Sequence, residues 1–228
     1  MTQDNDIAIK TQGITKTYSN KMVLNEIDLS IKHGQFVILL GSNGSGKSTL
    51  LKILGTIIEP TSGNAWINGN SVITNQVKVR ESIGFMFQSN ALDVNRTVLD
   101  NLTFTAALFG ISKKEINDRI LTLLKMFDLS DVTNKLVRQL SGGMQRLIDV
   151  TRCMLHKPSI LLLDEPTSGL DAAHRIQFFN HLKSLQQNNN ITILLTSHHL
   201  DESQYCDKLL MMKEGKIILG DHRDIVSS

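Results

Sequence analysis

The stretch GSNGSGKS at residues 41–48 directly follows the apolar run Phe36–Leu40 and precedes a helical-looking segment, 49–54. This order fits a phosphate-binding loop between a strand and a helix. Its glycines let backbone N–H groups turn inward around phosphates, and the following helix adds its positive N-terminal end. A flexible Gly/Ser turn is the alternative, and the flanking strand and helix disfavour it. The stretch therefore predicts a nucleotide site in which Lys47 reaches the outer phosphates and Ser48 holds Mg²⁺.

Two further apolar runs, at residues 160–163 and 191–195, predict the rest of the sheet around this loop. Short runs rich in Ile, Leu and Val are typical of strands that are covered on both faces, as in parallel sheets. Each run ends in polar residues, Asp164-Glu165 in one case and Thr196-Ser197-His198 in the other. Because open α/β sheets bind ligands beyond the carboxyl ends of their strands, we expect these three strand ends to converge.

The middle of the chain has a different pattern, which predicts a mainly helical insert over residues 88–158. Ser112 followed by Glu115 matches a capping box, and apolar residues then recur at helical spacing. A second helical pattern runs from Met144 until Pro158 stops it. The α/β core would then comprise residues 1–87 and 159–228, within one domain. A strand is expected near Trp66, and a hairpin at residues 209–219.

Composition and charge limit the classes of function. The chain has 228 residues with 24 basic and 22 acidic side chains, so its net charge is +2. A chain of this length forms one large domain or two small ones, and 41% hydrophobic residues exclude a disordered protein. A nearly neutral balance gives no field-driven nucleic-acid footprint, and no nucleic-acid partner is expected.

Location is predicted from three negative features of the sequence. Two cysteines, Cys153 and Cys206, cannot build a disulfide framework and fit a reducing compartment. The start MTQDNDIAIK has no basic segment followed by an apolar one, so no signal peptide is expected. No apolar run approaches the ~20 residues that span a bilayer. These features predict a cytoplasmic globular protein.

Two more motifs carry polar chemistry. Asp164 and Glu165 close the second apolar strand, where a carboxylate of a P-loop enzyme holds Mg²⁺ and a neighbouring one can accept a proton from water. For an isolated Asp-Glu pair, a helix cap with a solvated charge would be the better interpretation. The sequence LSGGM at residues 140–144 opens the second helix of the insert and offers further donors to an anion. This is a second phosphate-binding feature, although the loop at residues 41–48 already suffices to bind one nucleotide.

Together these motifs resemble the ATP-binding subunits of ABC transporters, over about residues 7–220. LSGGM is similar to the family's signature, GSNGSGKST to its Walker A loop, and ILLLDEPTSGLD to its Walker B strand and D-loop. Gln88 falls at the position of the Q-loop, and His198 at that of the switch histidine. His199 is the alternative, and His198 matches the family position better. Tyr18 falls on the aromatic residue that stacks on adenine, although packing within a hairpin is the other interpretation.

The resemblance implies a P-loop NTPase fold, with a RecA-like core of mainly parallel sheet, an N-terminal antiparallel β portion and a helical insert. It implies ATP and Mg²⁺ as cofactors, and a head-to-tail dimer with two shared ATP molecules. The catalytic residues would be Glu165, His198, Gln88 and Lys47, and the metal ligands Ser48, Gln88 and Asp164. ATP would contact Tyr18, Gly41, Ser42, Asn43, Gly44, Ser45, Gly46, Lys47, Ser48 and Thr49. Across the dimer, Ser141, Gly142, Gly143 and Asp171 would reach the partner's site.

The function implied is ATP hydrolysis that drives a separate membrane permease, with the chain peripheral on the inner face of the membrane. The sequence FQSNALDVNRTVLDNL after the Q-loop position is similar to the drug- and polyketide-exporting branch, and residues 89–102 would contact the permease. The alternatives are an importer ATPase, a non-transport ABC protein acting on ribosomes or DNA, and a regulatory module that binds nucleotide without hydrolysis. The presence of Glu165, Gln88 and His198 disfavours the last of these. The sequence does not identify the cargo.

Overall fold

The computed structural model describes residues 6–218. It contains two β-sheets, one mainly parallel and one antiparallel, which pack on opposite sides of one helix. The larger sheet has six strands in the order β10-β9-β3-β8-β7-β6, all parallel except for the antiparallel β9–β10 pair. The smaller sheet is antiparallel, in the order β2-β1-β4-β5. The strands are β1 (Ile7–Tyr18), β2 (Lys21–Lys32), β3 (Phe36–Leu40), β4 (Ser62–Ile67), β5 (Asn70–Ser71), β6 (Ile83–Met86), β7 (Ile160–Asp164), β8 (Thr192–Ser197), β9 (Lys208–Lys213) and β10 (Lys216–Ile218).

The parallel sheet is covered on both faces, and the side chains of its central strands alternate between two apolar clusters. Ile38 and Leu195 pack into one cluster together with the helices that follow β6, whereas Val37 and Leu194 pack into the other. That second cluster also contains residues of α1 and of the antiparallel sheet. Every residue of β3, β7 and β8 is buried, as the near-continuous apolar runs predict. The predicted α/β fold with an N-terminal antiparallel portion is confirmed.

Six α-helices connect and cover these strands within residues 6–218. Three of them, α3 to α5, lie between β6 and β7 in the sequence, together with two short 3-10 turns. Their buried side chains belong to the same apolar cluster as one face of the parallel sheet. The division of the chain at residues 88 and 158 stays a prediction. The helices are α1 (Lys47–Leu54), α2 (Gln76–Ser82), α3 (Val98–Leu108), α4 (Lys113–Met126), α5 (Gly142–Met154) and α6 (Ala172–Asn189).

The helix starts in the insert partly differ from the expectation. Helix α4 begins after Ser112 as predicted, but the Ser112 hydroxyl bonds the Glu115 carboxylate at 2.9 Å and does not cap the backbone. The complete capping box lies at α3, where Thr97 and Asp100 satisfy each other's backbone N–H groups. The predicted hairpin is present as β9 and β10, and its expected last residue, Leu219, lies outside the described residues.

The register of the central strands brings the functional segments together. In the order β3-β8-β7, the carboxyl ends of all three strands meet at one edge, because Leu40 pairs with Ser197 and Asp164 with Thr196. The loop that follows β3 therefore starts beside the last residues of β7 and β8. Of the helices within residues 6–218, none is long and apolar enough to cross a membrane.

Candidate nucleotide site

The loop between β3 and α1 requires glycine at two positions. Gly44 and Gly46 have φ angles of +80° and +112°, which L side chains rarely adopt. A Cβ atom at Gly46 would also lie 2.8 Å from Leu24 Cδ2 and 2.9 Å from the Val23 carbonyl oxygen. The loop is thus packed tightly on the start of β2. Because Gly46 is the N-cap of α1 and has no side chain, the first-turn N–H groups of α1 have no side-chain cap and can bind an anion.

Lys47, the first residue of α1, is buried, with only 3% of its surface exposed. Its ammonium group donates to the carbonyl oxygens of Gly41 at 2.7 Å and Ser42 at 3.2 Å. It also lies 3.4 Å from Glu165 Oε1. A buried cation needs such partners to offset its desolvation, so the loop and the carboxylate together hold the positive charge in place.

The two acidic residues at the end of β7, Asp164 within the strand and Glu165 directly after it, are positioned by β8 as well as by their own strand. Asp164 Oδ1 accepts hydrogen bonds from Ser48 Oγ at 2.9 Å and from Thr196 Oγ1 at 2.8 Å. The same Thr196 hydroxyl accepts from the backbone N–H of Glu165 at 2.9 Å. Glu165 has a φ of +45°, a backbone conformation that a non-glycine residue adopts only when its surroundings fix it. The threonine therefore fixes the Asp164 carboxylate and the backbone of Glu165.

Two side chains from other segments converge on Glu165. Gln88, two residues after β6, donates from Nε2 to Glu165 Oε2 at 3.1 Å. His198 Nδ1, just after β8, lies 3.5 Å from the same oxygen. The His199 ring lies against the His198 ring, with centroids 4.1 Å apart. Because His198 makes the contact with Glu165, the geometry favours His198 over His199 as the residue that acts at this site.

Lys47, Gln88 and Glu165 line a cavity of about 370 Å³, whereas His198 and Asp164 lie behind its wall residues and do not line it. Its volume is within the range of small-molecule sites. Val23 of β2 forms part of its wall. A larger cleft of about 800 Å³ includes His33, Pro158 and Ile191, which precede β3, β7 and β8 and so lie at the opposite edge of the sheet. None of the predicted site residues line that cleft. The smaller cavity is lined by Val23, Asn43, Gly44, Gly46, Lys47, Ser48, Thr49, Gln88 and Glu165.

The LSGGM segment does not line this cavity. Ser141 is exposed and caps α5 by accepting from the Met144 N–H at 3.3 Å. Gly143 is buried against the side chain of His174. Asp171 caps α6 through the His174 N–H, and its second carboxylate oxygen lies 2.7 Å from His174 Nδ1. The backbone and side-chain hydrogen bonds from His174 hold the pKa of Asp171 below its usual range.

Tyr18 also lies apart from the cavity wall. It is the last residue of β1 and 44% exposed, and the Lys16 ammonium group is 5.1 Å from its ring centroid. The cavity wall on this side is formed by Val23 instead. Adenine stacking on Tyr18 therefore stays a prediction.

The sequence matches the family described as ABC transporter over residues 24–168. This segment includes the loop, Gln88, the LSGGM motif and both carboxylates. The chain belongs to the ABC transporter family. The prediction of an ABC-type ATPase domain is thereby confirmed.

Individual ABC relatives include proteins named for import and for resistance. The chain is 36% identical over 219 residues to the "Fe(3+) ions import ATP-binding protein FbpC" of Mannheimia succiniciproducens, covering 96% of this chain and 62% of that one. It is 36% identical over 214 residues to the "Daunorubicin resistance ATP-binding protein DrrA3" of Streptomyces coeruleorubidus, covering 93% and 67%. Among its most similar curated relatives, the chain spans from 37% to 67% of the relative's own length.

A solved ABC structure is also similar in fold and sequence. It is the dimeric post-hydrolysis state of the ATP-binding cassette MJ0796 bound to ADP and Pi. The TM-score is 0.82 at 30% identity, with 92% of this chain and 96% of that chain covered. Since importer and resistance relatives are equally similar in sequence, the expected export branch is not distinguished from an importer.

Three parts of the ABC site were not identified from the sequence. Thr196 links the Asp164 carboxylate to the backbone N–H of Glu165. Val23 forms part of the cavity wall, and Arg146 Nη2 donates to the Gln88 carbonyl oxygen at 2.6 Å. The position of Thr196, at the end of an apolar strand, was a usable signal. Val23 and Arg146 carry no signal of this kind, because only the packing of β2 and α5 against the site brings them there.

Proposed function

We propose that this ABC ATPase chain binds Mg²⁺-ATP in the loop at residues 41–48 and hydrolyses it to drive a membrane permease on a separate chain. The observation that carries the proposal is the convergence of Lys47, Gln88 and His198 on the Glu165 carboxylate beside that loop. A basic, an amide and an imidazole group around one buried carboxylate can bind phosphate and activate water at the same place.

In the proposed reaction, a water oxygen attacks the γ-phosphorus as the bond to the ADP oxygen breaks. Glu165 accepts the proton of that water as general base. Gln88 and His198, which contact its Oε2 atom, orient the water and contact the γ-phosphate. Lys47 neutralises charge on the outer phosphates, and the N–H groups at the start of α1 bind the remaining phosphate oxygens.

The residues beside the loop suit a magnesium ion. Ser48 offers a hydroxyl, Asp164 a carboxylate and Gln88 an amide oxygen, and hard oxygen donors of this kind are what Mg²⁺ prefers. The Ser48 and Asp164 oxygens are already 2.9 Å apart. When bound, the ion would neutralise charge that develops on the phosphates.

The groups left outside the cavity support a shared site between two chains. Ser141, Gly142, Gly143 and Asp171 do not line the cavity, and Ser141 is exposed at the start of α5. In a head-to-tail dimer these groups would bind the nucleotide of the partner chain. The dimeric state of the similar ADP- and Pi-bound cassette supports this arrangement. The second subunit would be another copy of this chain.

The surface after Gln88, residues 89–102, is the proposed contact with the permease. It is continuous with α3, which exposes Phe104 and Leu108 at 66% and 72%, an unusual exposure for large apolar side chains. Asn90 and Asp93 are exposed within residues 89–102. The chain would then sit on the cytoplasmic side of the membrane, held there by the permease.

We further propose that the driven transport is export of a small molecule. The residues after Gln88 support export, through their similarity to the drug-exporting branch, as does the Streptomyces resistance relative. Import is the second candidate, and the Mannheimia iron-import relative favours it. Transport assays in inverted and right-side-out vesicles with the cognate permease distinguish the two, because ATP is accessible to the chain only on one side.

Two measurements test the proposed function. Purified chain is expected to release phosphate from ATP only when Mg²⁺ is present, and the Lys47→Ala variant to lose high-affinity ATP binding. A photocrosslinker in place of Asn90 is expected to attach to a membrane protein of the same cells, whereas one in place of Asn188, exposed at the end of α6, is not. Crosslinks from Asn188 alone would refute the docking surface, and unchanged ATP affinity of a folded Lys47→Ala chain would refute the phosphate site.

A further inference from the structure

His174, in the first turn of α6, contacts two groups that the proposed function directs at the partner chain. Its Nδ1 atom donates to Asp171 Oδ2 at 2.7 Å. A Cβ atom built on Gly143 would lie 2.6 Å from His174 Cδ2 and 3.0 Å from both its Cβ and Cγ atoms. The histidine therefore fills the space between the first turns of α5 and α6.

An ordinary helix cap accounts for only part of this arrangement. Asp171 caps α6 through Oδ1, which accepts the His174 backbone N–H at 3.0 Å. The bond from the ring to Oδ2 is additional, because capping needs only one carboxylate oxygen. It fixes the rotation of the carboxylate as well as its position. The ring itself is 39% exposed, so core packing does not explain its placement.

The same histidine also restricts which residue can stand at position 143. Its φ is not in the left-handed region, so the backbone conformation does not require glycine there. Space requires it, because any side chain would collide with His174. Leu170, the residue before Asp171, makes an ordinary contact, with its Cδ2 atom 3.7 Å from a Cβ position on Gly142. The segment from Leu170 to His174 thus packs on both signature glycines.

We propose that His174 is a positioning residue, which holds Asp171 at a fixed spacing from the signature glycine Gly143 of the same chain. This inference rests on the proposed function, since it assumes that both groups serve the nucleotide of the partner. Asp171 and Gly143 then contact the partner in a fixed relative position. The Asp171 carboxylate is already ordered before the dimer closes. Such preorganisation raises the affinity of the closed dimer without changing the contacts in it.

Three substitutions separate the two contacts of His174. His174→Asn keeps a donor at the position of Nδ1 but loses the ring that packs on Gly143. His174→Phe keeps a ring there and loses the donor. His174→Ala loses both. Each is made in the full chain carrying Glu165→Gln, so that bound ATP persists, and the dimer fraction is measured by sedimentation against ATP concentration.

The expected result is a graded loss of dimer. His174→Ala is expected to need about tenfold more ATP for half-maximal dimer, the size typical of losing a hydrogen bond to a charged group. His174→Asn is expected to recover most of that loss and His174→Phe little of it. The ATP affinity of the monomer, measured at low protein concentration, is expected to stay unchanged in all three, because His174 does not line the cavity.

Two outcomes would overturn the inference, and a third would overturn the proposed function with it. If all three variants dimerise at the same ATP concentration as their parent, His174 positions nothing. If His174→Asn is as weak as His174→Ala although its thermal unfolding is normal, the bond to Asp171 is not the cause. If the Glu165→Gln parent itself forms no dimer with ATP, the shared site is wrong, and this result is read from the parent alone.

Discussion

The two phosphate-binding features predicted for this chain, the loop and the signature, differ in how many contacts their residues make within the same chain. At the loop of residues 41–48, Lys47 and Glu165 are nearly buried and have partners from four separate segments. At the signature, Ser141 is exposed, and within residues 6–218 its hydroxyl makes only the cap bond to Met144. This difference is what the proposed shared site requires, with the loop binding phosphate within one chain and the exposed Ser141 facing a second one.

The difference also predicts where single substitutions are costly. Removing one of two buried, paired charged groups leaves the other charge unpaired, and the loss in the free energy of unfolding is large. Removing an exposed group leaves the fold almost unchanged, because water replaces it. Substitutions at Lys47 or Glu165 should therefore change what one chain does. Those at Ser141 should remove one helix cap, at a cost of about 1 kcal/mol in the free energy of unfolding, and act mainly on what two chains do together.

The largest effect is expected for Glu165→Gln, which keeps size and hydrogen bonding but removes the base. Loss of a general base lowers the rate of hydrolysis by about 10²–10⁴-fold, while ATP still binds. Single-turnover phosphate release measures the rate, and filter binding the affinity. Asp201→Asn, an exposed carboxylate that pairs with Arg175, is the matched control and should leave both unchanged. Full activity of Glu165→Gln would place the base elsewhere.

Mixed dimers test whether the loop and the signature of one chain bind different nucleotides. Lys47→Ala and Ser141→Arg chains are each expected to form inactive homodimers, since both sites carry one lesion. In a mixed dimer one site carries both lesions and the other none. High-affinity ATP binding should then return at half the sites, measured by equilibrium dialysis on dimers purified through two different tags. Binding that stays as low as in the parents would mean that both motifs serve one nucleotide within a chain.

A smaller effect is expected for Thr196→Val, which keeps the shape of the side chain. The change leaves the Glu165 N–H without its acceptor and Asp164 with one donor fewer, at a cost of about 1–3 kcal/mol in the free energy of unfolding. We expect the rate of hydrolysis to fall as well, because Glu165 is no longer fixed. The control is Thr192→Val, on the same strand, whose hydroxyl accepts from the Gly34 N–H at the far edge of the sheet. It should lose stability but keep its kcat; an equal loss of kcat in both would show that Thr196 acts only through stability.

The smallest effect expected is the pH dependence of stability that comes from the exposed carboxylate of Asp171. Hydrogen bonds from the backbone and side chain of His174 lower the pKa of Asp171 in the folded chain. Its ionised form therefore stabilises the fold fully above the ordinary carboxyl pKa of about 3.9, and this contribution is lost as the pH falls through the lowered value. Urea midpoints of the native chain and Asp171→Asn should differ at pH 7 and converge in this acidic range. A difference independent of pH would show that the charge contributes nothing.

The sequence alone determined the central strands β3, β7 and β8, the loop and the order of the motifs. Continuous apolar runs can only be strands or helices buried on all sides, and their length and polar ends select strands. The glycines at 44 and 46 are dictated by backbone angles within the loop itself. These are local requirements, so they can be predicted without knowledge of the packing. The capping box at Thr97 and Asp100 was equally local and was missed, whereas the one expected at Ser112 lacks its backbone bond.

Only the tertiary structure decided which distant side chains meet. Gln88 reaches Glu165 across 77 positions, and Thr196 reaches Asp164 across 32, because β6, β7 and β8 are adjacent and in a fixed register. It likewise placed His174 against Gly143 and Val23, not Tyr18, in the cavity wall. Periodicity fixes which face of a strand or helix is buried. It does not specify which neighbour lies opposite, since that depends on how the layers pack.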